Sequence, residues 1–391
     1  MPENAADKPA ILAITEWGAG NIENGSQVLA RAILECLEEW FDVHVWVPEG
    51  AGGGARVREI PASFDARDQP AADLPPVSLV YNFGGTSFGC RVSEWVSRSR
   101  PMIPLVNHFQ LNLGCYARHQ DLDASHVHSL TREQAHVAAR AARNLFPSHS
   151  ELALAAELFG SAAADFYVVP NAFVPDGEPE PEDESTTFTF FAAGRFSDSV
   201  KGADLLYRAF ADLIERGAAA RLEIASDTDR FLSLLRGVPG EAWVRHPWLT
   251  RRQLHARMRA ADVVVVPSRY EPFGLVAIEA LCMGTPVIAT GVGGLQEIVH
   301  HGITGWLTAP REGSRGLRAA MERAVAAGPR NVRAMGETGA RAARREYSLE
   351  RIAGMIRTHL DNARHHEAGG MTRPVARRSW STRLHAVPEV R

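Results

Sequence analysis

The chain has 391 residues, of which 45% are hydrophobic, 23% charged and 8% aromatic. This globular mixture excludes collagen-like and disordered classes and leaves room for two domains, each with its own core. The formal charge of −4 gives no global attraction to nucleic acid or anionic lipid. Cys36, Cys90, Cys115 and Cys282 are too scattered for a zinc pattern and too few for a disulfide framework. With no leader-like N-terminus and no apolar run near ~20 residues, the expectation is a cytoplasmic chain without an integral membrane segment.

The first half alternates strand-like and helix-like segments. Ala10 to Thr15 is an apolar run, followed by a glycine-bearing loop with Gly18, Gly20 and Gly25. Ser26 to Trp40 has helical spacing, with Val28, Leu29, Ala32, Ile33, Cys36 and Leu37 on one face. Strands are expected at 43–47, 77–83, 102–107, 144–147 and 167–169, and helices at 132–142 and 151–159. Such alternation implies a parallel, doubly wound α/β sheet. Residues 175–186 begin PDGEPEPEDES, which has no periodicity and reads as a linker. Alternation then restarts, with strands expected at 187–192, 221–225, 243–245, 263–266 and 286–290. Helices are expected at 202–216, 275–283, 295–299, 317–327, 332–346 and 349–364. From Gly369 the chain reads as a tail. Ligands of such sheets bind beyond the carboxyl ends of the strands, so two of them should enclose a cleft.

Three segments carry chemistry. In PSRYEPFGLVAIEA (267–280), Glu271 precedes a helix and Glu279 lies along it. The N–H groups of Phe273, Gly274 and Leu275 would point out of the helix start, an anion-binding arrangement. Glu271 is also compatible with a charge that complements the helix dipole, and Glu279 with a solvated helix residue. The apolar neighbours of Glu279 demand a partner for its carboxylate. In FAAGRFSDSVKG (191–202), Arg195 and Lys201 sit between a strand end and a helix start, where two cations can flank a pyrophosphate. Lys201 stands out because the chain has 40 arginines and only one other lysine, Lys8. Either cation is also compatible with an ordinary surface position. The loop GAGNIENG (18–25) misses the G-x-G-x-x-G dinucleotide pattern at Glu23. His108 follows a strand facing the cleft, and is also compatible with a structural histidine. His126/His128 and His300/His301 lack a third ligand, so no metal site is expected.

Together, GRFSDSVKG (194–202), PSRYEPFGLVAIEA with its E-x7-E pair, and GTPVIATGVGGLQEIVHHGITGWL (284–307) resemble the retaining glycosyltransferases of family 4. YVVPNAFV (167–174) adds weaker support. The resemblance implies a GT-B fold of two Rossmann-like domains facing a central cleft. It divides the chain into an acceptor domain at 10–174, a linker at 175–186, a donor domain at 187–347, a helix at 348–366 crossing back, and a tail at 367–391.

The implied reaction moves a hexose from a UDP- or GDP-sugar to the hydroxyl of a small-molecule or glycan acceptor. Anomeric configuration is retained and neither metal nor cofactor is used. Arg195 and Lys201 would neutralise the diphosphate, and Glu279 would bind the ribose. Glu271 with the backbone at Phe273, Gly274 and Leu275 would hold the donor sugar and distal phosphate. Gly20 would lie near the phosphates and His108 near the reacting carbon. Alternatives are a nucleotide-sugar epimerase or hydrolase on the same scaffold, or a catalytically silent nucleotide-binding partner. Three places differ from the family pattern. Ser226-Asp227-Thr228-Asp229 replaces a glycine-rich turn, Ala172 follows Asn171 where glycine is usual, and NHFQ is an uncommon setting for the histidine.

Overall fold

Two parallel β-sheets arise from these apolar runs in the computed structural model of the chain. The structure describes residues 8–16, 25–50, 56–61, 74–120, 122–159, 165–177 and 187–366. The first sheet contains β1 (Ala10–Thr15), β2 (Asp42–Pro48), β3 (Val57–Ile60), β4 (Val80–Gly84), β5 (Leu105–Phe109), β6 (Arg143–Phe146) and β7 (Phe166–Val168). Its order is β3-β2-β1-β4-β5-β6-β7. Its helices are α1 (Gly25–Leu37), α2 (Ser87–Ser99), α3 (Leu113–His119), α4 (Ala124–Ala138) and α5 (His149–Phe159).

The second sheet contains β8 (Phe188–Gly194), β9 (Ala220–Ser226), β10 (Trp243–His246), β11 (Val263–Val266), β12 (Val287–Thr290) and β13 (Gly305–Thr308), ordered β10-β9-β8-β11-β12-β13. Its helices are α6 (Ala203–Glu215), α7 (Arg251–Ala260), α8 (Leu275–Cys282), α9 (Leu295–Ile298) and α10 (Gly313–Glu346), and α11 (Leu349–His366) ends the described chain. In both sheets the first strand lies inside, and the winding reverses beside it: between β1 and β4, and between β8 and β11. Strand ends part at such a reversal, leaving a crevice.

The four valines of β11 are all buried, as expected for a central strand covered on both faces. Five elements go beyond those expected from the sequence: β3, β13, α2, α3 and α7. The helix expected at 132–142 instead starts at Ala124, where Asp123 accepts hydrogen bonds from the Ser125 and His126 N–H groups. The two helices expected at 317–327 and 332–346 run together as α10, broken at Gly328, whose φ of 77° is followed by Pro329.

α11 belongs with the first sheet. Its Ile352, Ile356, Leu360 and Ala363 are fully buried in one cluster with Ile11, Ala13, Leu29, Ile33 and Val43. The chain therefore passes between the halves twice, and the passages touch. The Phe173 N–H donates to the Tyr347 carbonyl at 2.7 Å, beside a parallel bridge between Phe173 and Ser348.

Candidate active site

Both crevices open into one cavity of about 440 Å³, a size typical of small-molecule sites. The first half contributes the ends of β1 and β4, the start of α1 and the loop after β5. The second contributes the end of β8, the turn holding Lys201, the loop after β11 and the start of α8. Arg195, Lys201, Glu271, Phe273, Gly274, Leu275 and Glu279 all line this cavity. Gly20 lies outside the described residues.

Local structure explains the convergence. β8 ends at Gly194, and the Asp198 side chain accepts from the Val200 N–H to wind Ser199–Lys201 into a single helical turn. Gly202 follows at φ 68°; a Cβ there would sit 2.0 Å from the Pro267 carbonyl oxygen, so the turn lies flat against the loop after β11. Arg269 in that loop grips Asp204 through both terminal guanidinium nitrogens, Nη1 and Nη2, at 2.8 Å. These contacts bring the Lys201 ammonium within 2.8 Å of Glu271 Oε2, with side-chain exposures of 28% and 13%. Ser268 Oγ donates to the same carboxylate oxygen at 3.1 Å. Arg195 is exposed and has no hydrogen-bond or ion-pair partner among the described residues.

α8 begins at Gly274, which has φ 123° and provides no side-chain cap. The first N–H groups of a helix have no intrahelical partners and carry the positive end of its dipole. A Cβ at Gly274 would come 2.7 Å from Leu295 Cδ2, so this entry needs glycine twice, for conformation and for space. One turn on, Glu279 is buried and has the partner its apolar helix demands. Arg251 Nη2 lies 3.4 Å from its carboxylate and His255 Nε2 lies 3.7 Å away. Arg251 also donates to the Val174 carbonyl, tying this corner to the chain crossing.

His108 is placed elsewhere, and the expectation that it faces the cleft is corrected. β5 runs on to Phe109, so His108 lies within the strand, in register with Phe83 and Leu145. Its ring is fully buried, with Nδ1 2.8 Å from the Tyr81 hydroxyl and the Phe83 ring edge-on at 5.1 Å. Burial pushes its pKa down to about 3, so the imidazole is neutral at physiological pH. From the same segment, Gln110 and Leu111 reach the cavity instead.

The sequence reading also missed the polar bonds that join the two halves around the cavity. The Tyr270 hydroxyl donates to Glu151 Oε1 at 2.8 Å and accepts from the Asn112 N–H at 3.1 Å. Burial pushes the Glu151 carboxyl up to about 7, against the lowering effect of the Tyr270 hydrogen bond. Asp198 accepts from the Tyr116 hydroxyl at 2.7 Å and from Gln120 Nε2. Glu297 accepts from the His149 and Ser150 N–H groups at the start of α5. Contacts between residues 78 to 158 positions apart leave no periodic trace in sequence.

Comparison with known proteins agrees with this geometry. Residues 187–327 match the family model described as glycosyl transferases group 1. That segment, rather more than a third of the chain, is similar to a group 1 glycosyl transferase domain. The matched segment includes every cavity residue named above from Arg195 to Glu279. A curated relative, D-inositol 3-phosphate glycosyltransferase 1 from Catenulispora acidiphila, is 39% identical over 141 residues, 33% of this chain and 34% of the relative. The glycogen synthase of Mycobacterium tuberculosis is 46% identical over 89 residues, 22% of this chain and 21% of its own. The chain thus spans about a third or less of the length of the curated relatives it matches.

Over the whole fold the likeness is structural. Sucrose-phosphate synthase from Thermosynechococcus elongatus aligns at a TM-score of 0.71 with 22% identity, covering 91% of this chain and 100% of that one. Anabaena HepE in complex with UDP aligns at 0.72 with 19% identity, covering 90% and 100%. The two halves together form a GT-B fold. No helix among the described residues is long and apolar enough to cross a membrane.

Proposed function

We propose that the chain is a retaining hexosyltransferase that moves a sugar from a UDP- or GDP-sugar to an acceptor hydroxyl, without a metal ion. The observation that carries this reading is the convergence of Arg195, Lys201 and the uncapped start of α8 on one cavity that also holds Glu271 and Glu279. Cations and helix N–H groups already gathered on one cavity stabilise the charge that grows on a departing diphosphate, which favours the transition state over the ground state. The solved HepE structures with UDP and with UDP-glucose support a uridine nucleotide as the first donor to try.

In this reading the diphosphate sits against the α8 N–H groups, between Arg195 and Lys201. Glu279 accepts the ribose hydroxyls, with Arg251 holding the carboxylate in place. Glu271, steadied by Ser268, accepts sugar hydroxyls and shares Lys201 with the distal phosphate. The glycosidic bond breaks towards the phosphate, whose oxygen takes the proton of the incoming acceptor hydroxyl. Attack and departure occur on the same face, so configuration is kept.

The test is incubation with UDP- and GDP-hexoses, with and without sugar acceptors. A product whose anomeric configuration matches the donor's, with metal chelated, is expected. Epimerised or hydrolysed donor at full rate without acceptor, or absence of nucleotide binding, overturns the reading.

A further inference from the structure

The second half accounts for the nucleotide-sugar, and the first half's wall of the same cavity has a different chemistry. Among the described residues, no position that the first half contributes to the wall is lysine, arginine or histidine. What the wall does present is one carboxylate and several neutral hydrogen-bonding groups.

Glu16 follows β1, half-buried. Its Oε1 accepts from the Thr86 hydroxyl at 2.6 Å, and Thr86 is the N-cap of α2, accepting from the Gly89 N–H. The start of a helix stabilises a carboxylate held there. Burial raises the Glu16 pKa and Arg91, which is not on the wall, opposes this. On the same cavity, Asn171 is 3% exposed, and its Oδ1 is buried without a hydrogen-bond partner among the described residues. The Gln110 Nε2 is likewise buried and unpaired. Buried polar atoms are nearly always bonded, so two unpaired ones on a cavity wall mark a place where a polar ligand completes the set. The two atoms are complementary, an acceptor on Asn171 and a donor on Gln110, which is what a hydroxyl requires.

We infer that Glu16, Gln110 and Asn171 form the acceptor subsite, and that it takes a neutral polyhydroxylated acceptor rather than a phosphorylated one. A hydroxyl can donate to Glu16 or Asn171 and accept from Gln110. A phosphate dianion offers no proton to Asn171 and meets like charge at Glu16, and none of the described residues that the first half contributes to the wall is a cation. Arg195 and Lys201 on the opposite wall are committed to the donor. The inference rests on the proposed transfer reaction, and its test separates the two.

The full chain is assayed with matched acceptors: glucose against glucose 6-phosphate, fructose against fructose 6-phosphate, and myo-inositol against its monophosphate. The neutral member is expected to show at least a tenfold higher kcat/KM. Glu16→Gln and Gln110→Ala should each raise the acceptor KM about tenfold, the scale of one hydrogen bond to a charged or buried group. UDP and GDP affinities, measured by calorimetry, should stay within twofold. Equal or better use of phosphorylated members, rejection of every neutral polyol while the donor still binds, or unchanged acceptor KM in both variants overturns the inference. Failure of the wild-type chain to bind any nucleotide instead sinks the transfer reaction itself.

Discussion

Lys201→Ala isolates the electrostatic core of the proposed chemistry. In the wild type the ammonium is 2.8 Å from Glu271 Oε2, and its removal leaves that carboxylate, among the described residues, the Ser268 hydroxyl at 3.1 Å. Two effects then add. The diphosphate loses one charge-assisted contact, worth about 1.5–3 kcal/mol or about 10- to 100-fold in affinity. Glu271 also faces it with its charge unopposed. During reaction the leaving group carries more charge than the bound donor, so turnover should fall by roughly 10² to 10³. The reciprocal variant, Glu271→Gln, frees the ammonium. It should keep or strengthen nucleoside diphosphate binding while transfer drops, because the sugar loses its acceptor. The assays are steady-state transfer, calorimetry with UDP and GDP, and circular dichroism to establish folding. A loss of turnover below threefold in folded Lys201→Ala refutes the role. So does a fall in nucleotide affinity in both variants, since Glu271→Gln is required to keep or strengthen it.

Glu151 makes stability depend on pH. Its folded pKa of about 7 lies above the ordinary 4.5, so the folded state binds the extra proton and stability falls as pH rises from about 4.5 to 7, then levels. Glu151→Gln should flatten that slope in thermal unfolding at pH 4.5–8.5; parallel curves for the two proteins would refute the assignment. Gly274→Ala should cost at least about 1–3 kcal/mol in chemical denaturation, because it combines φ 123° with a 2.7 Å approach to Leu295. A stability within error of wild type would show that the α8 entry tolerates a side chain. Excess EDTA should leave transfer unchanged; loss of activity restored by Mg²⁺ or Mn²⁺ would show that the cations on the wall do not suffice.

The parts of the fold that were legible are those where a physical rule acts locally. β11 announces itself as four consecutive valines, and the burial of Glu279 follows from the apolar residues around it. α7 was overlooked because RRQLHARMRA is so polar, yet its start has a capping box, Thr250 with Gln253, that the sequence displays. α2 has an apolar face in Phe88, Val92, Trp95 and Val96 and a Thr86 cap that the sequence also displays. His108 shows the opposite failure. Ending its strand two residues early turned a core histidine into a candidate cleft residue, since strand neighbours point to opposite faces. Asn171 and Gln110 gave no sign in sequence, because an unpaired buried atom exists only once the rest of the wall surrounds it.

The double passage between the halves has a mechanical consequence. Ile352, Ile356 and Leu360 each remove from water a side chain worth about 1.5–3 kcal/mol, and they do so inside the half to which they are not adjacent in sequence. Proteolytic nicking between residues 177 and 187 should therefore leave the two fragments associated, with α11 acting as a tether. Truncation after Tyr347 would instead strip an apolar lid from the N-terminal core, so the first 174 residues are not an autonomous module.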